Sequence, residues 1–246
     1  MSRLRLIADA VVDRLGYAPI RKWQLARYEM ARKLRRILEM RDVTCVLDVG
    51  ANIGQYGRFL RDEVGYRGII VSFEPVPRAV SDLRRQAALY SNWLVEPIAL
   101  SDKNGNAQLN ITKGDEFSSF LEPDAASDFV PHLNTVVAKQ TVPVMRLEDW
   151  AIKNAACLPL DRIYLKLDTQ GFDLSVMEGA GSFVANIAAM QSEIPFRKLY
   201  TGVPDAAEFL ARFRAHGFEP AEMFPTNHDE KGRAVEFDCL LVNCRA

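Results

Sequence analysis

Beyond Arg41 the chain alternates short apolar runs with longer amphipathic stretches, the rhythm of parallel βαβ units in which each strand feeds a crossover helix. TCVLDVG (44–50) reads as the first strand, and a helix is expected after it from about Gly54 to Glu63. GIIVSFE (68–74) reads as the second strand, followed by a helix opening near Pro77, because proline suits a first helical turn whose N–H has no partner. NWLVEPIAL (92–100) reads as the third strand. An insertion follows, in which NAQLNIT (106–112) and TVPVMRL (141–147) look like extra strands. The polar segment between them, 113–140, is rich in Ser, Asp and Pro and is expected to form a mobile cover loop. The core pattern then resumes: RIYLKLD (162–168) as the fourth strand, GFDLSVMEGA (171–180) as a helix, IAAMQSEI (187–194) as the fifth strand, and DAAEFLARFRAHGF (205–218) as a helix closed by Gly217. FEPAEMF (218–224) and AVEFDCLLVN (234–243) are expected to finish the chain as an antiparallel hairpin.

The first 41 residues differ in kind. Leu4, Ile7, Val11 and Leu15 fall on one helical face, and a second helix is expected from about Lys22 to Glu39. This region holds 11 Lys and Arg against 4 Asp and Glu, leaving 20 basic and 28 acidic residues from position 42 onward. The charge places a basic helical extension (1–41) before a net acidic domain (42–246), and the even total argues against nucleic acid as a partner of the whole chain. A docked helix pair with a solvated basic face and a contact with a membrane or other anionic surface both fit the extension. At 246 residues and 48% hydrophobic, the chain suits one large α/β domain plus this appendage. Cys45, Cys157, Cys239 and Cys244 form no C-x-x-C pair, and Cys45 and Cys239 lie in apolar runs, so free thiols in a reducing cytoplasm are expected. Arg3 and Arg5 before LIADAVV resemble the opening of a signal peptide, but Asp9 and Asp13 interrupt the apolar region and no A-x-A site follows.

The chemistry concentrates at strand ends. After the first strand, DVGANIGQYG (48–57) places Asp48, Gly50 and Gly54 in a D-x-G-x-x-x-G order that differs from the G-x-G-x-x-G of dinucleotide enzymes. An aspartate before the first glycine repels a pyrophosphate and suits a cation. Glu74 ends the second strand, 20 residues after Gly54, where a carboxylate can accept hydrogen bonds from both hydroxyls of a ribose. A ligand with a ribose and a positive group, and without a diphosphate, is S-adenosylmethionine. Candidate cofactor contacts are therefore Asp48, Gly50, Asn52, Gly54, Gln55 and Tyr56 in the loop, Glu74 and Pro75 after the second strand, and Ser101 and Asp102 after the third, where Asp102 can accept from an adenine amine or simply close a turn.

Together DVGANIGQYG, SFEPVPRAVSDL, IALSDKNG, LKLDTQGFDLSVMEGA and the ending LYTG…GF…FDCLLV resemble the FkbM-type S-adenosylmethionine-dependent methyltransferases, from about Val43 to the C-terminus. The resemblance implies the class I methyltransferase fold, a Rossmann-like seven-stranded, mostly parallel sheet with a C-terminal antiparallel hairpin. It also implies O-methylation of a hydroxyl, often on a sugar of a glycan, glycolipid or secondary metabolite. Ser118 and Ser119 resemble a serine pair in relatives that can bond cofactor or substrate, although a polar turn explains them equally. The chain departs from the pattern at Asp173, where many relatives carry Glu.

Methyl transfer to a hydroxyl needs alignment, exclusion of water and a group that takes the proton. Asp168, closing the fourth strand, is the first candidate for base or hydroxyl orienter, with Lys166 on the same sheet face by period two; a cap for the helix after it is the alternative. Glu193, closing the fifth strand, and His228, between the last two strands, are the other catalytic candidates. Asp168 and Glu193 are also hard oxygen donors, so a divalent ion such as magnesium remains open without assigned ligands. A non-catalytic cofactor-binding module and a nicotinamide-dependent dehydrogenase are the competing readings, the latter disfavoured by the missing third loop glycine.

Overall fold

The computed structural model describes residues 25–114, 117–124 and 135–245. Leu4, Ile7, Val11 and Leu15, and the expected start of the second helix at Lys22, lie outside the described residues.

Seven strands form the main sheet: β1 (Cys45–Val49), β2 (Ile69–Phe73), β3 (Trp93–Glu96), β7 (Ile163–Leu167), β8 (Ile187–Pro195), β9 (Phe218–His228) and β10 (Ala234–Asn243), in the order β3-β2-β1-β7-β8-β10-β9. Every residue of β1 and of β7 is buried, because crossover helices cover both faces of a parallel sheet and leave no solvated side for alternation to report. β10 pairs antiparallel with both β8 and β9 and is the strand that runs against the rest. This is the class I methyltransferase sheet that the family resemblance implied. β1 has β2 on one side and β7 on the other, so the connections leave it in opposite directions and a crevice opens at the carboxyl ends of β1 and β7.

The helices between strands are α2 (Gln55–Phe59, continued by a π-turn over Leu60–Val64), α3 (Pro77–Ala87), α4 (Leu147–Asn154), α5 (Asp173–Gly179) and α6 (Ala206–Ala215). One sheet face buries Leu47, Phe73, Leu165 and Met190 against Trp150, Phe209 and Phe213. The other buries Val46, Ile70, Tyr164 and Leu240 under Phe59 and Leu60. Toward the carboxyl ends this second face turns polar, with Asp48 opposite Lys166 and Lys166 opposite Gln191 in the β1–β7–β8 register.

A 16-residue helix, α1 (Leu25–Met40), lies on that same face with Ala31, Leu34 and Leu38 buried. Its basic residues fasten it to the domain. Arg35 donates from Nε to the carbonyl of Val64 at 2.6 Å and from Nη2 to that of Glu63 at 3.0 Å, satisfying the end of the α2 π-turn. Lys33 pairs with Glu222 of β9, and Arg41 donates to the carbonyl of Asn243 at 3.1 Å.

Two elements depart from the pattern reading. NWLVEPIAL is not one strand: Pro97 has no N–H to continue the ladder, and the chain passes from β3 in the main sheet to β4 (Ala99–Ser101) in a second, three-stranded sheet of order β4-β6-β5. β5 (Gly105–Thr112) and β6 (Val136–Arg146) complete that sheet, so the segment expected as a cover loop is strand from Val136 onward. Within it Ser119 bridges Asn110 and Pro123 bridges Tyr200, while 115–116 and 125–134 lie outside the described residues.

Candidate active site

The crevice holds a cleft of about 1090 Å³, and its cofactor end is built on the loop after β1. Gly50 has φ +81°, and a Cβ there would stand 2.0 Å from the carbonyl oxygen of Asp168, so the loops leaving β1 and β7 touch backbone to backbone. Its N–H donates to the carbonyl of Phe73 at 3.1 Å. Asn52, also in the left-handed region at φ +47°, donates its N–H to Glu74 Oε2 at 2.9 Å, and Val76 donates to Oε1 at 2.8 Å. Glu74 is thereby held between the two loops, 7% exposed, with burial pushing its carboxyl up to about 7 against the pull of those N–H groups. Gln55, Tyr56 and Pro75 line the same end.

At the other end the side chain of Lys166 is 4% exposed, with Nζ 3.0 Å from Asp168 Oδ2. Asp168 Oδ1 accepts from Gln170 Nε2 at 3.0 Å. Glu193, Glu236 and Asp238 line the cleft beside them. Burial acts to neutralise the Lys166 ammonium, but Asp168, Glu193, Asp238 and Asp48 outweigh it and hold the amine charged, well above its ordinary value. The carboxyls shift the other way. Burial, then Asp168 and Glu236, raise Glu193 well above the carboxylate range; burial, then Asp168 and Asp173, push Glu236 up to about 7; burial raises Asp238 against the pull of Lys166. One ammonium cannot balance four carboxylates gathered in one cleft, Asp168 with its side chain 34% exposed and Glu193, Glu236 and Asp238 half-buried, so near neutral pH this end offers both proton-bearing and proton-accepting oxygens. Among the described residues no group of three or more His, Cys, Asp or Glu is arranged to hold a metal ion.

Beneath the cleft Asp48 is 1% exposed and accepts from Ser72 Oγ at 2.9 Å, with burial pushing it up to about 6 against Lys166 and Ser72. It supports the floor and is not among the lining residues. Four further candidates also stand apart from the cleft. Gly54, at φ +90°, faces Leu83 and Trp93, with a Cβ reaching 2.9 Å from Leu83 Cδ1, so it seats the loop on α3. Ser101 and Asp102 bond each other at 2.9 Å where β4 packs on α5, because the third strand has already left the main sheet; Ala99 and Leu100 line the cleft in their place. His228 is exposed at the tip of the β9–β10 hairpin, one residue beyond the lining Asn227. Ser118 and Ser119 do line the cleft. Ser118 Oγ accepts from the N–H of Thr112 at 3.3 Å, and Ser119 Oγ donates to the carbonyl of Gln170 at 2.8 Å.

Asp168 does not cap the following helix. No side chain caps that helix; Asp173, its first residue, accepts instead from the N–H of Thr169 at 3.0 Å and from Ser192 Oγ at 2.5 Å, so the short carboxylate is fully engaged in holding the β7 loop to β8. The residues missed from sequence are Tyr164, Gln191, Glu236 and Asp238. The visible signal was the period-two acidic pair in AVEFDCLLVN, polar positions inside an otherwise apolar strand.

The methyltransferase FkbM domain family matches residues 48–220. A 2-O-methyltransferase, NoeI, of Sinorhizobium fredii (strain NBRC 101917 / NGR234) is 26% identical over 223 residues, 87% of this chain and 85% of that protein. Among solved structures, the magnesium protoporphyrin IX methyltransferase ChlM of Synechocystis PCC 6803 with bound S-adenosylmethionine aligns with a TM-score of 0.47 at 9% identity over 99% of this chain and 98% of that one. The Aeropyrum pernix fibrillarin with natively bound S-adenosyl-L-methionine aligns with a TM-score of 0.44 at 14% identity over 81% of this chain and 66% of that one. Neither of these structural likenesses speaks to what this chain acts upon.

Proposed function

The chain belongs to the FkbM methyltransferase family and is an S-adenosylmethionine-dependent methyltransferase, and we propose that it methylates a hydroxyl of a sugar, free or within a glycan, glycolipid or secondary metabolite. The single observation that carries the reading is the Lys166–Asp168 pair, set at the carboxyl end of β7 against the backbone of Gly50, so that a proton-accepting carboxylate and the cofactor loop share one cleft. The name of the 26% identical 2-O-methyltransferase supports oxygen as the atom methylated.

The residues present fit the cofactor. Gly50, Asn52, Gln55 and Pro75 would hold it, with Glu74 on the ribose, in a loop whose bare Gly50 lies directly against the backbone of Asp168. When bound, the cofactor supplies a methyl group on a positively charged sulfur. Asp168 orients the acceptor hydroxyl and takes its proton, Lys166 keeps that carboxylate paired and aimed, and Gln170 fixes its second oxygen. Glu193 and Glu236 bond neighbouring hydroxyls, as donors when protonated and as acceptors when ionised. Phe117 and Phe120 add apolar lining that excludes water from the same cleft. A divalent ion, if used, would have to compete with the Lys166 ammonium for Asp168.

Lys33, Arg35 and Arg41 are engaged with the domain itself, which supports α1 as a brace over a membrane or phosphate contact. Among the described residues no helix is long and apolar enough to cross a membrane, and the four free thiols support a cytoplasmic setting.

The test is incubation with methyl-labelled S-adenosylmethionine and a panel of methyl glycosides of neutral, deoxy and amino sugars, read by mass spectrometry and methylation-site mapping. Label on a ring hydroxyl is expected. Label only on nitrogen or carbon, or no product from any glycoside by protein that binds S-adenosylhomocysteine, would overturn the sugar reading.

A further inference from the structure

The two ends of the cleft are joined by a side chain that neither the motifs nor the family match singles out. Gln191, on β8, is 1% exposed and bonded at both ends of its amide. Its Oε1 accepts from Tyr56 Oη at 2.7 Å and from Tyr164 Oη at 3.1 Å, and its Nε2 donates to Asp238 Oδ1 at 2.5 Å. The orientation of the amide is forced. With Asp238 ionised beside Lys166 it can only accept, so the amino group faces Asp238, the carbonyl faces the phenols, and both phenols donate. Tyr56 is fixed a second way, because the Lys166 ammonium lies 5.2 Å from its ring centre while pairing with Asp168. Tyr56 stands on the first turn of α2, two residues past Gly54, and lines the cofactor end; Asp238 lines the carboxylate end.

We propose that Gln191 is a positioning residue that locks Tyr56 beside the cofactor loop to Asp238 beside the acceptor, and that Asp238 is an acceptor-binding carboxylate. The inference rests on the methyl-transfer reading for its acceptor half and on geometry alone for its cofactor half. One arrangement of these three side chains thus sets the positions of Tyr56 and Asp238 together. The amide chemistry also explains why the isosteric carboxylate would not serve at 191: a glutamate there could still accept from both phenols but would face Asp238 as a second acceptor.

The experiment uses the full chain and four proteins: wild type, Gln191→Glu, Asp238→Asn, and the double variant, which reverses the amide and the carboxylate across one hydrogen bond. S-adenosylhomocysteine is titrated by calorimetry, melting is followed by circular dichroism, and transfer to the best methyl glycoside is resolved into kcat and KM. In Gln191→Glu the cofactor product is expected to bind about tenfold more weakly, with recovery in the double variant, because the pair is restored with its sense exchanged. Transfer is expected to stay at least tenfold low in kcat/KM, through KM, in both Asp238→Asn and the double variant, since neither has a carboxylate at 238. Equal product affinity in all four folded proteins overturns the coupling. Full recovery of transfer in the double variant overturns the role of Asp238 and leaves the pair structural. Should Gln191→Glu fail to fold, the double variant still decides: restored folding and product affinity support the lock, and a folded double variant with weakened product binding refutes it. If the wild type methylates no glycoside, the sugar reading falls, while the product titrations still judge the lock.

Discussion

Lys166 Nζ stands 3.0 Å from Asp168 Oδ2 with the lysine side chain 4% exposed, two residues apart and on one face of the strand end. Removing the cation leaves Asp168, Glu193, Asp238 and Asp48 without their shared counter-charge. Lys166→Met is expected to lose about 1–3 kcal/mol of stability at pH 8, less than a fully buried pair because a third of the Asp168 side chain stays in solvent. The loss should shrink at pH 5, where the raised carboxyls take up protons and need no partner. Urea unfolding of both proteins at the two pH values checks this, and an equal loss at both would place the role of Lys166 in packing alone.

Glu74 and Glu236 each titrate at about 7 in the folded chain against an ordinary value of 4.5. A raised folded value means that the folded state holds its proton more tightly than the unfolded chain. The stabilisation is complete below about pH 4.5 and is lost as the pH rises through about 7, where the buried carboxyls must ionise. Urea midpoints should therefore fall between pH 5 and pH 8, by a free energy on the order of a few kcal/mol in total. Glu74→Ala should flatten part of that slope and weaken S-adenosylhomocysteine roughly tenfold or more, since charge-assisted bonds of about 1.5–3 kcal/mol disappear. Unchanged product affinity would remove Glu74 from the ribose.

Gly50→Ala is a backbone test. Its Cβ would meet the carbonyl oxygen of Asp168 at 2.0 Å, so the β1 and β7 loops must separate. Product affinity should fall by at least tenfold, with a lowered melting temperature. Gly232→Ala is the control, at φ +75° but with nothing within 4 Å of the added carbon, and should cost only about 1–2 kcal/mol of backbone strain with product affinity kept. Equal effects on binding would locate the Gly50 defect in strain alone.

The strands that build the sheet were legible because parallel strands buried on both faces leave continuous apolar runs, as in CVLDV and IYLKL. Glu74, Asp168 and Glu193 were legible as acidic residues ending such runs. Pairing is a different matter. Nothing in NWLVEPIAL announces that Pro97 divides two sheets, and that unseen division moved Ser101 and Asp102 off the cleft. Helix α4 was missed because LEDWAIKN follows a strand directly, with Arg146 and no capping residue at its start. Gln191 read as one polar position in an apolar strand; only the register of β7, β8 and β10, set by contacts distant in sequence, brings it against Tyr56, Tyr164 and Asp238.

The most direct measurement is transfer by Asp168→Asn under saturating S-adenosylmethionine, set beside its S-adenosylhomocysteine affinity. Asparagine preserves shape and the bond from Gln170 but cannot take a proton or balance Lys166. Turnover to the methyl glycoside is predicted to fall roughly a hundredfold or more, the contribution of a positioned acid–base group, while melting temperature and product affinity stay near wild type. A variant that turns over at the wild-type rate with product affinity intact would contradict the assignment of the cleft's proton-accepting group to Asp168.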